Sequence, residues 1–141
     1  MLPPGPMSRF LDQAKAVVGA ENVIHYPEDL LVFEYDGSVD RGLPGAVVFP
    51  ESVEEVSQVM ALAYGESLRV VGRGSGTGLS GGAISSPGGV QIAFTRMHHI
   101  LEVDTENRTA TVEPGVINLD LDNYAHRFGL RYAPDPSSQK A

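Results

Sequence analysis

The glycine-rich stretch from Val70 to Gly89 has the clearest capacity for chemistry in this sequence. It reads VVGRGSGTGLSGGAISSPGG and holds half of the 16 glycines in the chain. Glycine lets a backbone approach another group without a Cβ in the way, although it loses much conformational entropy on folding. Arg73 adds a positive charge, and Ser75, Thr77 and Ser80 add hydroxyl groups. The stretch is therefore either a flexible linker or a backbone shaped to hold an anion.

Three kinds of phosphate-binding loop compete for this stretch. A P-loop needs a lysine after its second glycine, and none occurs here. Gly76 to Gly81 spells the dinucleotide fingerprint G-x-G-x-x-G, but that motif works when it opens a helix, and Pro87 followed by a strand leaves no room for one. The third kind stays irregular, so that successive backbone N–H groups form an anion-binding concavity. We expect this third arrangement, with Arg73 supplying local positive charge.

The elements just before the stretch predict a βαβ unit. Ala46–Pro50 is a short apolar strand, Ser52 and Glu55 form a capping box, and Leu68–Val71 is the next strand. A helix lies between them and ends before Gly65. Its apolar stripe consists of Val56, Val59, Met60 and Ala63. Two strands joined by a helix at this spacing favour parallel pairing with a right-handed crossover.

Helices and a β-meander are predicted on either side of this unit. Upstream, Ser8–Val18 has helical periodicity and is ended by Gly19, and a short helix begins near Pro27. The downstream elements are the strands Val90–Phe94, Ile100–Asp104 and Thr109–Glu113, a helix from about Asn118, and a last strand, Leu130–Pro134. The predicted fold class is therefore α+β, with one βαβ unit, a meander and flanking helices.

No catalytic or metal-binding group is predicted. His98 and His99 are adjacent, and neighbouring side chains of an extended chain point to opposite sides, so we expect no shared ion. The serines lack a matched histidine and aspartate, which argues against a hydrolase. Asp120 and Asp122 are interpreted as residues that stabilise the start of the last helix.

Overall composition excludes several classes of function. The chain carries 10 basic and 18 acidic residues, and its net charge of −8 argues against nucleic acid and anionic membranes as partners. It has no cysteine, which excludes disulfides and thiolate chemistry. Residues 74–95 are uncharged but too rich in glycine and serine for a transmembrane segment. We expect a cytoplasmic protein.

Several segments resemble one family, in the same order along the chain. They are VVGRGSGTGLSGGA, FPESVEEVSQVMALA, TRMHHILEVDTENRTATVEPGV and YAPDPSSQKA. The family is that of FAD-linked oxidases with a PCMH-type (vanillyl-alcohol oxidase-like) FAD-binding domain, in particular the glycolate oxidase FAD subunit and D-lactate dehydrogenases. The resemblance implies FAD as cofactor, with its pyrophosphate bound by main-chain N–H groups of the loop. The implied cofactor-binding residues are Arg73, Gly74, Ser75, Gly76, Thr77, Gly78, Leu79, Ser80, Gly81, Gly82, Pro114, Gly115 and Asp135.

The resemblance also implies how the chain is organised. Residues 1–45 form an N-terminal helical segment, and residues 46–141 form an FAD-binding subdomain that is incomplete at its C-terminus. Family members continue into a second flavin-binding segment and a cap domain that binds a 2-hydroxy acid. We therefore expect an N-terminal fragment that binds FAD weakly or not at all, and does not turn over by itself. The alternative is a non-catalytic nucleotide-binding or structural module that forms a homodimer through an open sheet edge.

Overall fold

The computed structural model describes residues 5–134, 136–138 and 140. The chain divides into two compact units, Met1–Phe94 and Thr95–Ala141, and each is described below by itself. Both units mix helices and strands, which confirms the predicted α+β class. Within the described ranges, no helix is both long and apolar enough to cross a membrane.

The first unit contains three α-helices. Helix α1 spans Pro6–Val18 and ends at Gly19, whose φ of 90° turns the chain away. Helix α2 spans Pro27–Leu30 and runs into a 3₁₀ turn at Leu31–Phe33, and helix α3 spans Val53–Gly65. Proline at the first position of α1 and α2 suits a helix start, because its missing N–H would have no intrahelical partner there. All three helices were predicted.

Details of α3 differ from the prediction. The Ser52 hydroxyl accepts from the Glu55 backbone N–H (3.1 Å), which confirms the cap. The Glu55 carboxylate, however, accepts from the Glu51 N–H (2.8 Å). Val59 and Ala63 are fully buried, whereas Met60 is 44% exposed, so the apolar stripe is narrower than the spacing predicted.

A four-stranded sheet forms the centre of the first unit. Its strands are β1 (Val23–Ile24), β2 (Ala46–Val48), β3 (Val70–Arg73) and β4 (Val90–Ala93). The order in space is β1-β2-β4-β3. Strand β4 pairs in parallel with both β2 and β3, while β1 is antiparallel to β2. The two strands of the βαβ unit are therefore parallel, with β4 inserted between them.

Three features of this sheet were not predicted. Strand β1 was missed. Strand β3 begins two residues later than expected, because Leu68 is still part of the turn out of α3 and donates its N–H to the Ala63 carbonyl (2.9 Å). Strand β4 joins the parallel sheet, so only the hairpin of the predicted meander forms.

The two faces of the sheet are covered differently. Helices α1 and α3 pack on one face, around Phe10, Ala14, Val59 and Ile92. The other face carries a second and smaller apolar cluster, which consists of Leu30, Val47 and Ala93, with Phe33 and Phe49 packed against it. Because side chains alternate along a strand, Gln91 and Arg73 share this second face with Val47 and Ala93. The glycine-rich stretch leaves the sheet directly after Arg73.

The second unit contains a hairpin and a helix. Strands β5 (Ile100–Asp104) and β6 (Thr109–Val112) pair antiparallel, as predicted. Helix α4 spans Asn118–Ala125 and continues as a 3₁₀ turn, His126–Phe128, which ends at Gly129 in the left-handed conformation.

Two predictions for the second unit are wrong. Residues 130–134 form no strand, because the Leu130 N–H donates to the Ala125 carbonyl (3.2 Å) and not to a neighbouring strand. Asp122 does not stabilise the start of α4. Its carboxylate accepts from the Tyr132 N–H (2.8 Å) and thereby ties the following segment to the helix.

Candidate functional site

The glycine-rich stretch is an irregular loop and not the start of a helix. Residues 74–89 contain only bends and turns, and strand β4 follows at Val90. Gly76 and Gly81 have φ angles of 72° and 71°, a left-handed conformation that side chains disfavour. The structure therefore confirms the prediction that this stretch does not open a helix, which a dinucleotide site of the G-x-G-x-x-G type requires.

The first half of this loop, residues 74–82, is named here the open half. Across the described part of the chain, no backbone N–H of the open half donates a hydrogen bond to a protein group. The hydroxyls of Ser75, Thr77 and Ser80 likewise have no protein partner among the described residues. A Cβ added at Gly74, Gly78 or Gly82 would meet nothing within 4 Å. The open half thus offers N–H and O–H donors beside free space.

Arg73, at the entrance to the open half, points inward. Its side chain is only 7% exposed. Its Nη1 donates to the Tyr35 carbonyl (2.9 Å), and its guanidinium lies 5.5 Å from the centre of the Phe33 ring. Burial lowers the pKa of Arg73 below its usual value, while the nearby Asp36 carboxylate acts in the opposite direction. The guanidinium also fills the place where a Cβ on Gly76 would lie.

Asp36 is a buried carboxylate at the far end of the open half. It accepts from the Ser38 N–H (2.7 Å) and, through a longer bond of 3.4 Å, from the Ala83 N–H. Hydrogen bonds from Ser38 are the main cause that lowers the pKa of Asp36, with smaller contributions from Ala83 and Arg73. Asp36 therefore stays ionised beneath the loop and connects its end to residues 35–38.

Gln91, on the central strand β4, holds the same end of the loop from the sheet. Its side chain is fully buried, and its Nε2 donates to the carbonyls of Phe33 (2.8 Å) and Ala83 (3.1 Å). Its Oε1 is buried without a partner among the described residues. Since both neighbouring groups are acceptors, the amide orientation is fixed by them.

Sequence reasoning missed Asp36, Gly37 and Gln91. A signal existed for each of them. Asp-Gly is a turn dipeptide, and Gln91 is the single polar residue in the otherwise apolar segment VQIAF. A buried polar side chain must find hydrogen-bond partners, which is why Gln91 marks a contact with another backbone segment.

The other predicted site residues lie elsewhere. Pro114 and Gly115 belong to the second unit, where the Gly115 N–H donates to the Met97 carbonyl (2.7 Å). Asp135 lies outside the described residues. The structure thus brings together Arg73 to Gly82 in one loop of the first unit and leaves the remaining three residues as predictions.

The two adjacent histidines behave differently from the expectation. The rings of His98 and His99 stack, with their centres 5.1 Å apart, so the expectation that they point to opposite sides is wrong. His99 Nδ1 lies 2.7 Å from a Glu113 oxygen that also accepts the His99 N–H. These hydrogen bonds lower the pKa of Glu113. No group of three metal-binding side chains occurs among the residues that the structure describes.

The chain is similar to a known protein family and to several curated proteins. The model of the family FAD_binding_4, an FAD binding domain, matches residues 44–141. The chain is 41% identical over 130 residues to the glycolate oxidase subunit GlcD of Bacillus subtilis, covering 92% of this chain and 28% of that protein. It is 42% identical over 95 residues to a D-lactate dehydrogenase of Archaeoglobus fulgidus, covering 67% and 21%.

The fold also matches solved structures. A crystal structure of p-cresol methylhydroxylase with substrate bound superimposes with a TM-score of 0.79 at 22% identity, over 92% of this chain and 26% of that one. At this identity the likeness concerns the fold, and it confirms the predicted PCMH-type architecture. The chain spans 28% and 21% of the lengths of the two curated relatives.

Proposed function

The chain belongs to the FAD-binding domain family, and from this premise we propose that the open half holds the diphosphate of FAD. The observation that carries the proposal is that no backbone N–H group of residues 74–82 has an acceptor among the described residues, in a segment where Gly74, Gly78 and Gly82 adjoin free space. Unpaired N–H groups of a glycine-rich loop suit phosphate oxygens, which accept several hydrogen bonds at once.

The charge distribution supports a local anion site. The chain carries a net charge of −8, so its overall field repels an anion. Backbone N–H groups attract phosphate oxygens at short range. They can therefore hold an anion locally although the net charge of the protein is negative. Arg73 contributes positive charge from the protein side of the loop. Its guanidinium lies where a Cβ on Gly76 would be and donates to the Tyr35 carbonyl.

We further propose that the FAD bound by this chain serves the oxidation of a 2-hydroxy acid. The support is the similarity to proteins named as a glycolate oxidase subunit and a D-lactate dehydrogenase. When bound, the flavin supplies the redox chemistry that no amino-acid side chain provides. The described residues of this chain bind and orient its diphosphate, and none of them is assigned as catalytic.

Isothermal titration of the purified chain with FAD, ADP-ribose and riboflavin tests the proposal. We expect FAD to bind more weakly than micromolar, ADP-ribose to compete with it, and riboflavin, which has no phosphate, to compete poorly. Sub-micromolar FAD binding would overturn the expectation of a weak site. Riboflavin competing as well as ADP-ribose would overturn the assignment to the diphosphate.

One observation favours the alternative of a self-associating module. Strand β3 is an edge of the four-stranded sheet, and its outer side has no neighbouring strand among the described residues of the first unit. Unpaired edge strands can pair with a second copy. A monomer in sedimentation that binds added FAD supports the flavin proposal, whereas a dimer that binds no added FAD supports the alternative. The cytoplasmic location stays a prediction that cell fractionation tests.

A further inference from the structure

The turn Tyr35–Gly37 lies directly behind the open half. A Cβ placed on Gly37 would come within 2.8 Å of the Gly78 carbonyl oxygen and 2.9 Å of the Thr77 carbonyl oxygen. These oxygens are the nearest backbone atoms of the loop to that position. The carbonyls of Thr77 and Gly78 therefore face the turn, and only glycine at position 37 leaves them room.

Peptide geometry then fixes the direction of two N–H groups. In a planar trans peptide the C=O and N–H bonds point in opposite directions. The Thr77 carbonyl shares its peptide with the Gly78 N–H, and the Gly78 carbonyl shares its peptide with the Leu79 N–H. Since both carbonyls face Gly37, the N–H groups of Gly78 and Leu79 point away from the turn. Gly78 has free space around it, and the Leu79 side chain is 79% exposed.

The same turn also holds both ends of the open half. At the entrance, Arg73 donates to the Tyr35 carbonyl (2.9 Å). At the exit, the Ala83 N–H donates to Asp36 (3.4 Å), and the Ala83 carbonyl accepts from Gln91 (3.1 Å). A segment whose own N–H groups are unpaired, as in the open half, keeps one conformation only if other segments hold it, because its glycines otherwise retain much entropy.

We propose that Asp36 and Gly37 are positioning residues that hold the open half with the N–H groups of Gly78 and Leu79 directed at the cofactor's diphosphate. This inference rests on the proposed function. Asp36 acts through Ala83, and Gly37 acts by the close approach it allows. Neither residue touches the cofactor.

The substitution Asp36→Asn gives the first test. Asp36 accepts from Ser38 through Oδ1 and from Ala83 through Oδ2. Asparagine has the same shape, but its NH₂ group replaces one of these oxygens and faces an N–H donor, so one of the two bonds is lost. We expect FAD affinity to fall roughly three- to tenfold, the effect of one modest hydrogen bond. A purely electrostatic role predicts the opposite sign, because removing a negative charge beside an anion site strengthens binding. Asp40→Asn is the matched control, since it removes the same charge just after the turn, from a side chain without a bond to Ala83.

Amide NMR gives a readout that does not depend on activity. Titrating the chain with inorganic pyrophosphate, we expect the largest downfield amide-proton shifts at Gly78 and Leu79, and smaller shifts in Asp36→Asn. Gly37→Ala should reduce them as well, because the added methyl group displaces the Thr77 and Gly78 carbonyls. Gly65→Ala is its control, because a Cβ there meets nothing within 4 Å.

The outcomes separate the two proposals. Failure of ADP-ribose to compete with FAD in the unmodified chain contradicts the proposed function itself. If ADP-ribose competes but Asp36→Asn and Gly37→Ala bind FAD like their controls, the positioning inference is wrong. Largest shifts in residues 83–89 instead of Gly78 and Leu79 also contradict it. Circular dichroism of each variant confirms that it is folded, and if Asp36→Asn is not, Gly37→Ala decides the outcome.

Discussion

The two halves of the glycine-rich loop both contain several glycines and serines, but they differ in how their backbones are paired. The open half, residues 74–82, donates no backbone hydrogen bond within the described chain. Residues 83–89, named here the closed half, are paired throughout much of their length. The pairs are Ala83 N–H to Asp36, Ile84 N–H to Gly81, Gly88 N–H to Leu43 and Gly89 N–H to Ser86.

This difference shows that glycine serves two purposes in one loop. In the closed half, Gly89 is buried and a Cβ there would lie 2.9 Å from the Arg69 carbonyl oxygen, so packing within the protein requires glycine. In the open half, Gly74, Gly78 and Gly82 have no neighbour within 4 Å of such a Cβ. Packing does not explain those glycines, and the proposed binding of a diphosphate gives them a role, because it needs a close approach to the backbone.

Gly89→Ala should have the largest effect on stability. Its methyl group would also meet the Ser85 hydroxyl (2.9 Å) and the Ser86 carbonyl (3.0 Å), so the backbone must shift. We expect the free energy of unfolding to fall by about 2–3 kcal/mol, as for other overpacked sites. Urea unfolding followed by circular dichroism measures it, with Gly65→Ala as control. A loss no larger than that of the control would mean that the closed half is not tightly packed.

Gly76→Ala should combine a smaller loss of stability with a loss of binding. Its φ of 72° costs a side chain about 1–2 kcal/mol, and its methyl group would displace the buried Arg73 guanidinium. We expect both a lower unfolding midpoint and weaker FAD binding in titration. If the folded variant binds FAD with unchanged affinity, Arg73 and Gly76 do not contribute to the cofactor site. The comparison of the two halves would then lose support.

The contrast between the halves was only partly predictable from the sequence. The irregular conformation of the loop followed from Pro87 and the strand after it, which are local signals. The hairpin of β5 and β6 was predicted for the same reason, because its alternation and its four-residue loop are adjacent in sequence. Local patterns therefore indicated that the glycine-rich segment is not helical, while its binding of a diphosphate stays a prediction.

The rest depends on contacts between distant residues. The insertion of β4 between β2 and β3 is decided by pairing across the sheet, which the apolar pattern VQIAF does not encode. The turn behind the open half is about forty residues away from it in sequence, and no local pattern links the two. The burial of Arg73 against Phe33 and the Tyr35 carbonyl is likewise a tertiary effect.

Acidification should weaken the closed half through Asp36. The pKa of Asp36 is lowered in the folded chain, so its stabilising contribution is complete above the unfolded value of about 4 and is lost as pH falls through the lower folded value. We expect the unfolding midpoint to drop progressively as the pH falls below about 5. Glu113 and Asp104 also have lowered pKa values, so the difference between the unmodified chain and Asp36→Asn isolates Asp36. Parallel pH curves for the two proteins would contradict this assignment.

Gly78→Ala should have the smallest effect on stability and is the sharpest test of the comparison. A Cβ on Gly78 meets no protein atom within 4 Å, and the φ of Gly78 is not positive, so stability should change by no more than about 0.5 kcal/mol. Its methyl group would, however, occupy the space beside the N–H groups proposed for the diphosphate. We therefore expect several-fold weaker FAD binding with an unchanged urea midpoint, the reverse of Gly89→Ala. If Gly78→Ala binds FAD as the unmodified chain does, the free space at the open half is solvent alone, and unpaired N–H groups there do not identify a ligand site.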